Sequence, residues 1–240
     1  MLTRLKQEVC RANLELVAQG LVVQTFGNVS GIDRVRGWVV IKPSGVDYAG
    51  MKPAQMVVVS LATGEPVGRG LRPSSDTPTH LELYRAFPDV GGIVHTHSAS
   101  ATAWAQAQRA IPPYGTTHAD FFHGPVPCTR PLTAAEIRSD YEIATGRVIV
   151  ERFAGLDPAA FPGVLVAGHG PFAWGRDAAD AVHHAVALEY VARLAADTER
   201  LAPRVRPVPR ALLDKHFLRK HGPSAYYGQP SERKSTNPKV

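Results

Sequence analysis

Short β-branched runs alternate with helical segments through the first 200 residues, and this alternation most restricts how the chain can fold. The runs WVVI, MVVVS and VGGIVH are bounded by Gly, Pro, Ser or His, as strands of a sheet core are. Residues 2–19, residues 78–87 and the alanine-rich segment after Arg176 carry apolar side chains at helical spacing. Interleaved strands and helices predict an α/β fold, a three-layer αβα single domain.

The C-terminal end differs in composition. ALLDKHFLRKHG predicts a short helix after a proline-rich connector, whereas residues 229–240 are almost without apolar side chains. We therefore expect one folded domain over residues 1–228 and a disordered tail over residues 229–240.

The net charge of +6 raises the question of a nucleic-acid partner. Nine Lys or Arg and two Asp or Glu lie from residue 201 onward, however, and residues 1–200 carry a net charge of −1. Basic character confined to one end argues against a nucleic-acid surface, and we expect no such partner.

Other protein classes are disfavoured by hydropathy and cysteine content. No stretch approaches the roughly 18 consecutive apolar residues that span a bilayer, and the N-terminal segment lacks a signal-peptide core. The only cysteines are Cys10 and Cys128, too few for a secreted disulfide framework. We expect a cytoplasmic protein without a membrane partner.

Three histidines follow predicted strands. His95 and His97 are two residues apart, a spacing that turns both rings to one face of an extended strand, and His169 lies in a Gly-His-Gly turn. Two polar residues closing a strand would explain the first pair equally well. Three imidazoles with a carboxylate suit zinc better than magnesium or calcium, which favour oxygen ligands.

Asp76 has two interpretations from the residues alone. It precedes Pro78 at the start of a predicted helix, where an aspartate is commonly a cap. It is also a candidate fourth ligand for the ion.

Three polar segments, GNVS at 27–30, KPSG at 42–45 and PSSD at 73–76, are predicted as turns between regular elements. Turns of this composition present backbone N–H groups to anions, although each can also be a plain turn. Their number beside a candidate metal site favours a phosphate ligand.

Longer motifs resemble those of the L-ribulose-5-phosphate 4-epimerases, a branch of the class II aldolase family. They are GNVS, IKPSGVDY, VVVS, RPSSDTPTH, GGIVHTHS, GTTHAD, HGPFAWG and LLDKHFLRKHGPSAYYGQ, and the likeness covers residues 1 to about 229. It implies a class II aldolase fold with a central, mainly antiparallel sheet, assembled as a homotetramer with active sites between subunits. It also implies one Zn²⁺ per subunit on His95, His97, His169 and Asp76.

The implied reaction interconverts L-ribulose 5-phosphate and D-xylulose 5-phosphate by breaking and remaking the C3–C4 bond. Such a reaction needs two acid/base groups on opposite faces of the aldehyde. The resemblance assigns them to Asp120 in GTTHAD and to Tyr227 in YYGQ, which reaches a neighbouring subunit's site. The implied substrate and phosphate contacts are Gly27, Asn28, Lys42, Ser44, Gly45, Ser74 and Ser75, joined by Thr116 and His216 from the adjacent subunit.

Two other functions fit the same motifs. A fuculose-phosphate type aldolase would use the same metal and phosphate sites, but the resemblance places a glutamate where this chain has Asp76. A non-catalytic binding protein on the same fold would lack the metal ligands, all four of which this chain retains.

Overall fold

A single six-stranded sheet forms the middle layer of the computed structural model, which describes residues 2–227. The strands are β1 Asn28–Asp33, β2 Trp38–Ile41, β3 Val57–Ser60, β4 Gly92–His95, β5 Gly163–Leu165 and β6 Pro171–Gly175. Their order across the sheet is β3-β2-β1-β4-β6-β5, and every neighbouring pair is antiparallel. The mainly antiparallel sheet expected from the resemblance is confirmed.

Eight α-helices lie within the described residues. They are α1 Leu2–Ala18, α2 Thr77–Ala86, α3 Ala99–Gln106, α4 Thr116–Ala119, α5 Ala134–Arg138, α6 Tyr141–Arg152, α7 Ala178–Leu201 and α8 Arg210–His221. No helix in residues 2–227 is both long enough and apolar enough to cross a membrane.

Helices cover both faces of the sheet, which confirms the αβα layers. Leu16 of α1 and Ala181 of α7 pack with Val94 and other strand residues on one face. Side chains of α2 and α6, among them Leu83, pack with Trp174 on the other. Since fully burying one such apolar side chain stabilises the fold by about 1.5–3 kcal/mol, these two layers supply most of the driving force.

The double glycine before β4 fixes where that strand begins. A Cβ at Gly91 would lie 2.0 Å from the carbonyl oxygen of Arg176, and one at Gly92 would lie 2.3 Å from the carbonyl carbon of Asp177. Any side chain would therefore push β4 away from the turn that enters α7. This close approach sets the position of His95 at the other end of the strand.

Strand register gathers polar residues at that other end of the sheet. His95 is opposite Asn28 on β1 and opposite Phe172 on β6. The last residue of β4 and the first residues of β1 and β6 thus surround one point, and the loops that follow β4 and β5 converge on it.

Most predicted elements are present, with one correction. The predicted helices over 2–19 and 78–87 correspond to α1 and α2, with ends one residue away. The turn predicted at GNVS is wrong for residues 28–30, which belong to β1, because the buried Val29 and the paired backbone continue the sheet to Asn28. The predicted tail, 229–240, lies outside the described residues and remains a prediction, as does the boundary at 228.

Candidate active site

Three histidines come together at one end of the sheet. His95 is the last residue of β4, His97 follows two residues later, and His169 lies in the turn between β5 and β6. Each offers one ring nitrogen, and these three atoms lie within 4.8 Å of one another. Among the described residues, these three side chains are close enough together to bind one metal ion.

In His95 and His169 the hydrogen bonds within residues 2–227 are made by Nδ1 and not by Nε2. His95 Nδ1 lies 3.0 Å from the carbonyl oxygen of Pro171, which can only accept, so Nδ1 carries the proton and Nε2 keeps its lone pair. His169 Nδ1 lies 3.2 Å from the hydroxyl of Tyr141. Second partners of this kind orient metal-binding imidazoles, and the donor set fits a divalent cation.

Burial keeps two of the rings neutral, as metal binding requires. Burial lowers the pKa of His95, although the Asp76 carboxylate acts in the opposite direction. Burial and the neighbouring His95 and His97 lower the pKa of His169 to about 4. The lone pair of His95 Nε2 is therefore available at neutral pH without the loss of a proton, and that of His169 Nε2 is available in the tautomer whose Nδ1–H donates to Tyr141.

Asp76 occupies the N-cap position of α2 but makes no capping hydrogen bond with its side chain. Its Oδ2 instead accepts a 2.6 Å hydrogen bond from Asn28 Nδ2. Burial acts to raise the pKa of Asp76, yet the nearby His95 and His80 and the Asn28 bond outweigh it, and the pKa is lowered. The capping interpretation is wrong for the side chain, and the role of ligand stays a prediction.

The histidines form one wall of a cavity of about 340 Å³. Its lining contains all four predicted metal ligands and seven of the nine predicted substrate contacts. The lining residues are Thr25, Phe26, Gly27, Asn28, Lys42, Pro43, Ser44, Gly45, Ser74, Ser75, Asp76, His95, His97 and His169.

Lys42 brings an unpaired positive charge to this cavity. Lys42 is 2% exposed, and its ammonium lies 4.8 Å from the ring centre of Tyr48. Its one hydrogen bond within the described residues is a 3.5 Å contact with the carbonyl oxygen of Pro43. No carboxylate of residues 2–227 lies within ion-pair distance of it. Burial lowers the pKa of Lys42, with Asp47 opposing. An anion in the cavity would supply the missing partner.

Glycine lets the backbone approach this point closely. Gly27 has φ of +84°, and a Cβ there would lie 2.9 Å from Val22 Cγ1 and 3.0 Å from the carbonyl oxygen of His95. A side chain at position 27 would therefore displace the end of β4. Gly45, with φ of +65°, allows the exposed turn after Lys42.

The predicted acid/base residues lie elsewhere, in what we call the Asp120 cluster: Asp120, His216, Arg219, Lys220 and Tyr227. The Asp120 carboxylate is bonded by His216 Nδ1 at 3.1 Å, by Arg219 Nη2 at 3.0 Å and by Lys220 Nζ at 3.2 Å. Burial acts to raise the pKa of Asp120, but these three donors outweigh it and lower the pKa. The carboxylate is therefore ionised at neutral pH.

Tyr227 joins this cluster through its ring. The ring centre is 4.8 Å from the guanidinium carbon of Arg219 and 4.5 Å from Lys220 Nζ, and the side chain is largely exposed. Thr116 begins α4, one turn before Asp120. The lining of the histidine cavity in the same chain includes none of Asp120, Thr116, His216 and Tyr227.

Sequence reasoning missed four polar side chains next to these predicted residues. Arg219 and Lys220 pair with Asp120, and only the basic run LRKH hinted at them. Tyr141 contacts His169 from α6, and His80 is buried behind Asp76. No spacing in the sequence connects the last two with the histidines.

Comparison with known proteins identifies the family of the fold. The profile of the Class II Aldolase and Adducin N-terminal domain family matches residues 7–196. Members of the class are typically dependent on a divalent metal, bind sugar phosphates and are often oligomeric.

Solved structures share the fold. An L-fuculose 1-phosphate aldolase is 24% identical with a TM-score of 0.75, covering 89% of this chain and 94% of its own. YgbL from Klebsiella pneumoniae, a candidate aldolase, epimerase or decarboxylase, is 25% identical with a TM-score of 0.70 over 90% and 98% of the two chains. The L-fuculose-1-phosphate aldolase from Thermus thermophilus is 24% identical with a TM-score of 0.64 over 86% and 99%. The family match covers most of the sequence, and the chain therefore belongs to the Class II Aldolase and Adducin N-terminal domain family.

Proposed function

We propose that this chain is a zinc-dependent L-ribulose-5-phosphate 4-epimerase that interconverts L-ribulose 5-phosphate and D-xylulose 5-phosphate. The observation that carries the proposal is the cavity that places three imidazoles with converging ring nitrogens beside the unpaired Lys42 ammonium. A sugar phosphate matches both halves, since its hydroxyl and carbonyl oxygens suit a cation and its phosphate suits Lys42 and the surrounding turns.

The metal would be held by His95, His97 and His169, with Asp76 as the fourth ligand. A nitrogen-rich donor set of this kind favours zinc over magnesium or calcium. When bound, a divalent metal supplies Lewis-acid stabilisation of the negative charge that develops on the ketone end of the substrate.

The phosphate end of the substrate would be held by the other polar residues of the lining. Lys42 provides the charge, and the serine hydroxyls of the turns at 44–45 and 74–75 and the backbone N–H groups of Gly45 and Ser75 provide donors. The N–H groups of Ser44 and Ser74 are already bonded to carbonyl oxygens. Asn28 connects the metal side with this side, because its amide bonds both Asp76 and Ser74 Oγ, the latter at 3.2 Å. These contacts keep the substrate oriented while its central bond breaks.

Inversion at C4 requires that the C3–C4 bond break and form again. A base takes the proton of the C4 hydroxyl as the bond breaks, leaving a three-carbon fragment and glycolaldehyde phosphate. The aldehyde rotates, the bond forms on its other face, and an acid returns a proton to the new C4 oxygen. We assign these proton transfers to Asp120 and Tyr227.

Asp120 and Tyr227 do not line the cavity of their own chain, so the proposal includes a second copy. In it, the Asp120 cluster of one subunit completes the cavity of the next, with Thr116 and His216 contributing to substrate binding. A homotetramer of this head-to-tail kind, with one zinc per subunit, is our proposed assembly.

The decisive experiment follows the carbon skeleton. Incubation of the zinc-loaded protein with L-ribulose 5-phosphate is expected to yield D-xylulose 5-phosphate, and a trap for dihydroxyacetone is expected to capture little. Stoichiometric release of dihydroxyacetone without xylulose 5-phosphate would instead establish an aldolase, as the two structurally similar L-fuculose 1-phosphate aldolases are. Failure to bind any divalent metal would favour a binding protein on the same fold.

A further inference from the structure

Three buried polar side chains form a chain behind the cavity that the proposed reaction does not use. Tyr84, Ser30 and His80 are each 0% exposed. The Tyr84 hydroxyl lies 2.8 Å from Ser30 Oγ, and Ser30 Oγ lies 2.8 Å from His80 Nδ1. Together they connect α2 to the central strand β1.

The hydrogen bonds in this chain have a preferred direction. Either hydroxyl of the Tyr84–Ser30 pair can be the donor, and we assign the donor role to Tyr84 because a phenol is more acidic than the serine hydroxyl. Ser30 then donates to His80 Nδ1, which accepts. The single proton of the neutral His80 ring is thereby fixed on Nε2.

That Nε2–H is a buried donor without a partner among the described residues. Leaving such a donor unsatisfied is unfavourable, and native structures rarely do so. Asn28 Oδ1, on the amide whose Nδ2 bonds Asp76, is a second buried atom without a partner. Both incomplete groups flank the same carboxylate.

Asp76 is the acceptor best placed for His80. The two residues are four apart at the start of α2, where side chains at that spacing share a helix face. Asp76 is also the carboxylate whose charge acts most strongly on the His80 ring.

We propose that His80 is a positioning residue for Asp76: its Nε2–H holds one carboxylate oxygen through one buried water and so directs the other toward the three histidines. The proposal rests on the proposed function insofar as it takes Asp76 to be a metal ligand. Ser30 and Tyr84 act one step further back by fixing the tautomer of His80.

Two amide substitutions separate positioning from mere filling of space. In His80→Gln the amide nitrogen reaches the place of Nε2, whereas in His80→Asn it reaches only that of Nδ1. Zinc affinity of each metal-free protein is measured by competition with a chromogenic chelator, and the visible absorption of the Co²⁺-loaded proteins reports their ligand sets.

We expect His80→Gln to stay within about threefold of the wild-type zinc affinity and His80→Asn to bind about tenfold more weakly, with an altered Co²⁺ spectrum. Tyr84→Phe is expected to weaken zinc binding less than His80→Asn, and it replaces that variant if the latter does not fold. If His80→Asn binds zinc as tightly as the wild type, the inference is wrong and the metal site stands. If His80→Asn does not fold, the same conclusion follows from a Tyr84→Phe variant that binds zinc as tightly as the wild type. Equal losses in His80→Gln and His80→Asn also overturn it. Absence of zinc binding in the wild type overturns the proposed function itself.

Discussion

The histidine cavity and the Asp120 cluster are both rich in ionisable groups, but they differ in how those groups are paired. In the cavity, Lys42 has no carboxylate partner within residues 2–227, and one ring nitrogen from each of the three histidines lies within 4.8 Å of the others. In the cluster, one carboxylate accepts bonds from three basic side chains. The cavity can therefore take up a metal and an anion as missing partners. In the cluster the carboxylate is already paired within its own chain, and the buried Arg219 Nε is the atom left without a partner among the described residues.

The two regions also lie at opposite ends of the sheet. His95 ends β4 on the cavity side. Lys220 of the cluster lines a larger cavity with Val90, which precedes β4, and with Gly175, which ends β6. One chain does not bring the two regions together. In the proposed assembly a head-to-tail contact between copies joins them, and the copies close as a ring.

The largest effect is expected in the cavity itself. His95→Asn removes a proposed ligand that is 2% exposed and hydrogen-bonded to Pro171, and with it the charge stabilisation that the proposed metal would supply. We expect loss of bound zinc and a fall in epimerisation rate of roughly 10³-fold or more. Metal analysis and a coupled xylulose 5-phosphate assay measure both.

The matched control is His183→Asn, which changes an exposed histidine outside the cavity. It should keep its zinc and its activity. If His95→Asn retained a full equivalent of tightly bound zinc, the three-histidine site would be wrong.

The next effect is expected in the cluster. Asp120→Asn should slow epimerisation by roughly 10²–10⁴-fold, the usual contribution of a proton-transferring group, while zinc stays bound. Because the substitution also leaves Arg219 and Lys220 with a weaker partner, it should lower the melting temperature. Steady-state kinetics, metal analysis and thermal denaturation separate these contributions.

Tyr227→Phe provides the comparison variant. Its side chain is 60% exposed and contacts the cluster through its ring, so removal of the hydroxyl should slow catalysis without lowering the melting temperature. A loss of zinc in either variant would contradict the assignment of acid/base roles to this cluster.

A smaller effect is expected at Lys42. Lys42→Met should raise KM for the sugar phosphate about 10–100-fold, as expected for a lost charged hydrogen bond, with a lesser change in kcat. Burial lowers the pKa of Lys42, which means that the charged amine is less favourable in the folded protein than in the unfolded chain. Removing the charge should therefore raise the melting temperature. Unchanged KM would place the phosphate elsewhere.

The contrast between the two regions also explains what the sequence could predict. β-branched runs and helical periodicity locate β2, β3, α1, α2 and α7, because local pattern dictates those elements. The three histidines can be found because each follows a strand. The partners that orient them cannot, since Tyr141 and His80 reach the site from helices through tertiary packing alone.

Two failures have particular physical causes. Asp76 looks like a cap in sequence, but Asn28, 48 residues earlier in the chain, takes its carboxylate. The turn predicted at GNVS is a strand because β1 is paired on both sides, by β2 and by β4. Both outcomes depend on contacts between distant segments, which no local propensity encodes.

A mixture of two inactive variants, expected to come within about fourfold of wild-type activity, tests the separation of the two regions directly. If each active site combines the cavity of one copy with the Asp120 cluster of another, inactive His95→Asn and Asp120→Asn chains complement each other. Dissociation, equal mixing and reassembly should then restore roughly a quarter of wild-type activity, the share of sites that pair an intact cavity with an intact cluster in a random head-to-tail ring. A mixture no more active than its components would place both regions' functions within one chain, and the head-to-tail assembly would have to be abandoned.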